Sequence, residues 1–290
     1  MSQSGRAAEL EDAMDKDFPH KRVRLRNGLD IAYVEVANGG VPIVWIHGMG
    51  SYRETFHPLL KHPPLEARHL ALDLPGFGDS SHLSRRHRLA DYAEAVDGFL
   101  EALKIPEAVL AGHSFGGMVA GETVDRYPAR IRGIILVSSA GWLDPVNALT
   151  PTSLVWFNRV GIWVTGMEFF GRRMLRALGV DPATVTTSDR RRLQLGWRKA
   201  YEMARMGPFY HSPNFADRVF AAGRPTAVIH GDRDLLFPLA GVTEVIAERS
   251  PIWVIEGAGH LPFYSHPEMF RVVFAKAYRH VVGSPRNAPR

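Results

Sequence analysis

The chain has 290 residues, 46% of them hydrophobic, with 35 Lys+Arg against 30 Asp+Glu, 13 His and no cysteine. That length and apolar content suffice for one domain with a substantial core and room for an inserted subdomain, and the lack of cysteine excludes disulfides and thiolate metal sites. The first twenty residues, with Glu9, Glu11, Asp12, Asp15, Lys16 and Asp17, lack the apolar stretch of a secretory signal and read as a mobile tail, so a cytoplasmic protein is expected.

In chain order, residues 23–26 and 31–36 read as an opening hairpin around Asn27-Gly28, a favoured turn pair. Short apolar runs follow at 41–46, 69–74, 109–111, 133–137, 226–229 and 253–255. Runs of this kind suit strands covered on both faces. Between them Leu89, Tyr92, Ala93, Val96, Leu100 and Leu103 form one helical stripe. A second helix starts after Ser114 and should stop near Tyr127-Pro128, because the residue before proline is driven out of the helical region. The alternation predicts an α/β fold: a mostly parallel, eight-stranded sheet with helices on both faces and a ligand site at the carboxyl ends of its strands.

Between Ser139 and Gly223 the alternation lapses and large apolar side chains crowd the sequence. The expected organisation is a core of residues 21–142 and 224–282, an inserted helical cap at 143–223, and flexible tails at 1–20 and 283–290. Most of the cap's aromatics and methionines would pack it onto the core, while others, with Trp156, Trp163, Met167 and Tyr210 as candidates, would line an apolar substrate pocket. The longest apolar region, 154–170, is interrupted by Asn158, Arg159, Gly161, Gly166 and Glu168 and is shorter than the roughly 20 residues of a spanning helix. No membrane span is expected. Residues 143–223 hold eleven Lys+Arg against six Asp+Glu, which leaves the remainder balanced at 24 against 24. The basic residues Arg172, Arg173, Arg176, Arg190, Arg191 and Arg192 have no aromatic interleaving and match no nucleic-acid motif, so they read as a solvated helical face.

The chemistry-bearing pattern is Gly112-His113-Ser114-Phe115-Gly116-Gly117, a serine at the apex of a strand-turn-helix. Small neighbours are needed there because the turn forces the nucleophile into a strained conformation against adjacent backbone. A serine hydroxyl needs a base, and the base an orienting group. Acids Asp232 and Asp234 follow the run 227–229, and His260 lies in the Gly-rich loop after 252–255. The order Ser, acid, His, each at a strand end, differs from that of chymotrypsin-like and subtilisin-like enzymes.

On these residues, together with His47-Gly48-Met49-Gly50, Asp73-Leu74-Pro75-Gly76-Phe77-Gly78-Asp79-Ser80, Gly231-x-x-Asp234-x-x-x-Pro238 and Gly257-Ala258-Gly259-His260, the chain resembles the α/β-hydrolase superfamily over about residues 21–282. The similarity is to its small esterases, cofactor-free perhydrolases and carbon–carbon bond hydrolases. The resemblance implies Ser114 as nucleophile, His260 as base, Asp234 rather than Asp232 as the orienting acid, and the backbone N–H groups of Met49 and Phe115 as the oxyanion hole. It implies no cofactor, and no His/Asp/Glu cluster has metal-ligand spacing. The expected activity is hydrolysis of a small to medium hydrophobic ester through an acyl-enzyme. The alternatives are a carbon–carbon hydrolase of a vinylogous diketone acid, a perhydrolase or acyltransferase, a lipid-surface lipase, and a ligand receptor or scaffold on the same fold. Serine at the elbow speaks against the dehalogenase and epoxide hydrolase chemistries. Of the remaining polar residues, His47 reads as a loop-fixing hydrogen bonder, His113 as pointing away from the nucleophile, and Asp79 and Ser80 as braces of their loop. Ser265 reads as the cap of a final helix, and Asp144 as the alternative acid.

Overall fold

Strand pleating sends successive side chains to opposite faces, so a run that is apolar at every position is stable only between two covering layers. The computed structural model describes residues 18–36, 39–82, 87–142, 168–183, 185 and 214–285. Among these residues the strands are β1 Lys21–Arg24, β2 Asp30–Val36, β3 Ile43–Ile46, β4 His69–Leu72, β5 Ala108–His113, β6 Ile131–Val137, β7 Thr226–Gly231 and β8 Ile252–Ile255. They form one eight-stranded sheet in the order β1-β2-β4-β3-β5-β6-β7-β8. The pairings β1–β2 and β2–β4 are antiparallel, and from β4 across to β8 every pairing is parallel. β1 lies two residues earlier than the sequence pattern suggests. Residues 25–28 are taken up by the turn instead, with Leu25 N–H on Leu29 O at 2.8 Å and Gly28 at φ 84°.

The described helices are α1 His57–Leu60, α2 Leu89–Ala102, α3 Phe115–Arg126, α4 Glu168–Ala177, α5 Phe215–Ala221, α6 Leu239–Ile246, α7 Pro262–Ser265 and α8 Pro267–Gly283. Pleat alternation separates the core into two clusters. Val44, Ile46, Leu110, Ile134 and Leu136 face α2, α3, α5 and α6, whereas Ile43, Trp45, Val109, Ile135 and Val137 face α1 and α8. Fully burying each such side chain stabilises the fold by roughly 1.5–3 kcal/mol. α3 stops at Arg126, as the proline at 128 requires. The final helix corrects one expectation. His266, not Ser265, occupies the N-cap position of α8, and the Ser265 hydroxyl donates to Leu261 O at 3.3 Å.

Within the interval 143–223, α4 anchors Leu175 in the α8-side cluster, and α5 packs on α3, where Arg218 pairs with Glu122 and Asp125. Arg173 and Arg176 are exposed on α4, as a solvated face requires. Trp156, Trp163, Met167, Tyr210, Asp144 and Arg190 to Arg192 lie outside the described residues.

The loops leaving β3 and β4 are joined by buried charge. Arg53, 1% exposed, donates its backbone N–H to Asp73 Oδ1 at 2.7 Å, and its guanidinium bonds Asp73 Oδ2, Asp79 Oδ2 and Glu54 Oε1. The Asp79 N–H donates to Asp73 Oδ2 at 2.9 Å, and the Ser80 hydroxyl donates to Asp73 O at 2.7 Å while accepting from Ala32 N–H at 2.9 Å. Asp79 and Ser80 therefore brace the loop as expected. Burial disfavours the Arg53 charge, but Asp73, Glu54 and Asp79 outweigh it and keep the guanidinium protonated. Arg53→Met would strand a buried carboxylate, so it should lower unfolding stability by about 3–5 kcal/mol, measurable by urea denaturation.

His47, His69, His113 and His230 are buried, and in each ring burial is the largest cause pushing the pKa below the ordinary 6.5, in His113 to about 3. The unfolded chain binds protons on these rings at a higher pH than the folded one, so their contribution to folding stability is present in full above pH 6.5 and is lost as pH falls below it. Each ring held neutral contributes at most about 1.4 kcal/mol of loss per pH unit. The urea midpoint should accordingly hold level from pH 7.5 to about 6.5 and decline from there to pH 5, before carboxylates titrate.

Candidate active site

Ser114 sits between β5 and α3 with φ 52° and ψ −118°. A residue with a side chain avoids this region at a cost of about 1–3 kcal/mol unless its surroundings over-determine it. Here the Ser114 N–H donates to Val137 O at 3.0 Å, and its carbonyl accepts from Gly117 N–H at 2.9 Å and Ala140 N–H at 3.1 Å. The turn also requires Gly116, because a Cβ there would lie 2.1 Å from Ile46 O. The loop after β3 is packed onto the elbow in the same way: a Cβ at Gly48 would come within 3.2 Å of Ser114 Cβ. This brings the loop carrying Met49 against the start of α3, where Phe115 lies.

His47 fixes that loop. Its Nε2 accepts from Leu74 N–H at 3.1 Å, which leaves the proton on Nδ1 to donate to Gly48 O at 2.8 Å. Both ring nitrogens are thereby occupied by backbone, in line with the loop-fixing role read from sequence.

Beyond β7 and β8 the second half of the site assembles. His260 Nδ1–H donates to Asp234 Oδ2 at 2.8 Å, and both side chains are buried. Asp234 Oδ1 accepts from the N–H groups of Leu236 at 2.9 Å and Phe237 at 3.1 Å. Burial pushes the Asp234 carboxyl upward, but the hydrogen bond from His260, with help from the Phe237 N–H, prevails and holds it below its usual range. The Asp234 bond leaves Nε2 as the ring nitrogen of His260 available to accept a proton. Asp232 does something different: it accepts from Gly257 N–H at 2.6 Å and so ties the two loops together. The geometry thus separates the two acids.

Two histidines have a larger part in this site than their sequence context indicates. His230 donates from Nε2 to Phe237 O at 2.8 Å, and that nitrogen lies 3.7 Å from Asp234 Oδ2, bracing the acid's turn. His113 donates from Nε2 to the main-chain oxygen of His260 at 2.8 Å, with the two rings 5.0 Å apart. The only signal for either is a histidine at the last positions of a strand, and such a position does not specify a partner set by the packing of a separate loop. Among the described residues no group of three or more His, Asp or Glu could hold a metal ion, and no helix is long and apolar enough to cross a membrane. A half-buried serine on a strained turn, at the N-terminus of a twelve-residue helix and at the same sheet end as a buried Asp–His pair, is chemistry suited to acyl transfer.

A family model described as alpha/beta hydrolase fold matches residues 41–267. The chain is 30% identical over 254 residues to the pimeloyl-[acyl-carrier protein] methyl ester esterase of Aeromonas hydrophila, covering 82% of this chain and 95% of that protein. It is 40% identical over 111 residues to the dihydrolipoyllysine-residue acetyltransferase component of the acetoin cleaving system of Pseudomonas putida, but spans only 30% of that protein's length. Among solved structures, an esterase from Thermogutta terrifontis superposes with a TM-score of 0.72 at 22% identity, over 90% of this chain and 98% of that one. The mostly parallel eight-stranded sheet and these likenesses agree, and the chain belongs to the α/β-hydrolase fold family.

Proposed function

We propose that the protein is a serine hydrolase that cleaves a carboxylic ester of a small to medium hydrophobic substrate through an acyl-enzyme. Ser114 attacks the ester carbonyl while His260 Nε2 takes its proton, and Asp234 holds the imidazole in the required tautomer. The oxyanion of the tetrahedral intermediate rests on the N–H groups of Met49 and Phe115. His260 then protonates the departing alcohol, and water activated by the same ring releases the acid. No step needs a cofactor. The observation that carries this reading is the 2.8 Å His260–Asp234 hydrogen bond at the same sheet end as the strained Ser114. The methyl ester esterase relative supports the carboxylic ester as the bond class, and Trp156, Trp163, Met167 and Tyr210 are proposed to line the apolar substrate pocket.

An organophosphonate probe followed by mass spectrometry should label Ser114 in the folded protein, and an unlabelled Ser114 would sink the proposal. On a panel of p-nitrophenyl esters of increasing acyl length, Ser114→Ala should lower kcat by on the order of 10³-fold or more, with a similarly large loss for Asp234→Asn through the wrong imidazole tautomer. A chain-length optimum that survives in neither variant would size the acyl pocket.

A further inference from the structure

The loop that carries His260 is held through its main chain from two sides. From the sheet, His113 Nε2–H donates to His260 O at 2.8 Å. From the other side, His260 N–H donates to Leu178 O at 2.9 Å. Leu178 belongs to the segment inserted between β6 and β7, just past the end of α4. That helix ends in a glycine turn: Gly179 has φ 76°, its N–H donates to Arg176 O at 3.0 Å, and Val180 N–H reaches back to Leu175 O at 2.9 Å. This is the pairing of a Schellman motif, which only glycine adopts without strain at that position. The turn also touches the catalytic loop backbone to backbone. A Cβ on Gly179 would lie 2.5 Å from Gly259 Cα, and one on Gly259 would lie 2.5 Å from Leu178 O. Leu175 and Val180, each 1% exposed, anchor the turn in the α8-side core.

We infer that the Leu178–Gly179 turn and His113 are paired positioning elements for His260, so that the inserted segment acts on the chemistry through the main chain of the base as well as through any pocket it lines. The inference rests on the reading of His260 as the base. Asp234 fixes the ring's tautomer and one edge of the ring, whereas the two main-chain bonds fix where the residue's backbone sits. Both carbonyl and N–H of His260 are engaged, one by the core and one by the insertion. A shift of α4 therefore moves the imidazole, and a misplacement near 1 Å can cost about 10²-fold in rate.

The test uses the full chain and three variants: Gly179→Ala, His113→Leu and His113→Gln, the last restoring a side-chain N–H able to reach the same carbonyl. The first readout needs no substrate. It is the downfield proton NMR resonance of the His260 Nδ1–H on Asp234, expected to shift or broaden in Gly179→Ala and His113→Leu and to return toward its wild-type position in His113→Gln. On a p-nitrophenyl ester, the first two variants should lose on the order of 10- to 100-fold in kcat with KM within about twofold, and His113→Gln should recover most of the loss. Hydrogen exchange at the His260 amide of the wild type reads the Leu178 bond directly, whether or not Gly179→Ala folds, and slow exchange is expected. Rapid exchange there, an unmoved resonance in folded variants, a loss confined to KM, or no recovery by His113→Gln would overturn the inference. Absence of ester turnover by the wild type with the resonance responses intact would count against the proposed reaction alone.

Discussion

The backbone of Ser114 can remain at φ 52° only because three neighbouring elements leave it nowhere else to go. The β5–β6 pairing continues one residue past the strand, into the bond from Ser114 N–H to Val137 O, and the Ala140 N–H closes on the serine carbonyl from the same side. From β3, the carbonyl of Ile46 lies where a Cβ of Gly116 would have to be. A sheet of the order found here makes this possible, since it sets β3 and β6 as the two parallel neighbours of β5. The packed sheet, with a core cluster on each face, thus holds this short turn in a conformation it would not adopt alone.

Around that turn the described polar groups include buried neutral histidines and carboxylates paired with Arg53 or His260. His47, His113 and His230 each use Nε2 on a main-chain group, and burial keeps each ring uncharged. Among the described residues, charge next to the site lies in the Arg53 cluster behind the loops and in Asp234 under His260. In the proposed reaction these neutral rings would stand beside a developing oxyanion, and electrostatic interactions with such a charge are strongest where water and mobile charge are excluded.

What is legible in the sequence follows from how local the cause is. The strand ends bearing Ser114, Asp234 and His260 stand out because each is a short apolar run that breaks into glycines and polar residues, and the helical stripe from Leu89 is a periodicity within one element. β1 is displaced by two residues because its exposed side chains carry no alternation, so only the turn geometry of residues 25–28 sets its register. Spacing alone leaves Asp232 and Asp234 equivalent; what separates them is which group each one meets, the Gly257 backbone or the ring of His260. His113 and His230 are illegible for the same reason. Their partners are main-chain oxygens set by the packing of loops, and a backbone oxygen has no residue type by which a pattern could reveal it.

The same distinction bears on the inserted segment. Its aromatic and methionine content is a statement about composition, and composition alone does not determine which side chains face a substrate. The Leu178–Gly179 turn, in contrast, meets the catalytic loop main chain to main chain, through the Leu178 carbonyl on the His260 N–H and the close approach of Gly179 to Gly259. That meeting requires glycine at those two positions and the buried Leu175 and Val180 that seat the turn. Insertion side chains outside those anchors can therefore change while the backbone hold on His260 stays the same. On the proposed reading, a fold that holds His260 through main-chain bonds could vary the side chains of its insertion without rebuilding the His260 geometry, so long as α4 keeps its glycine-terminated end.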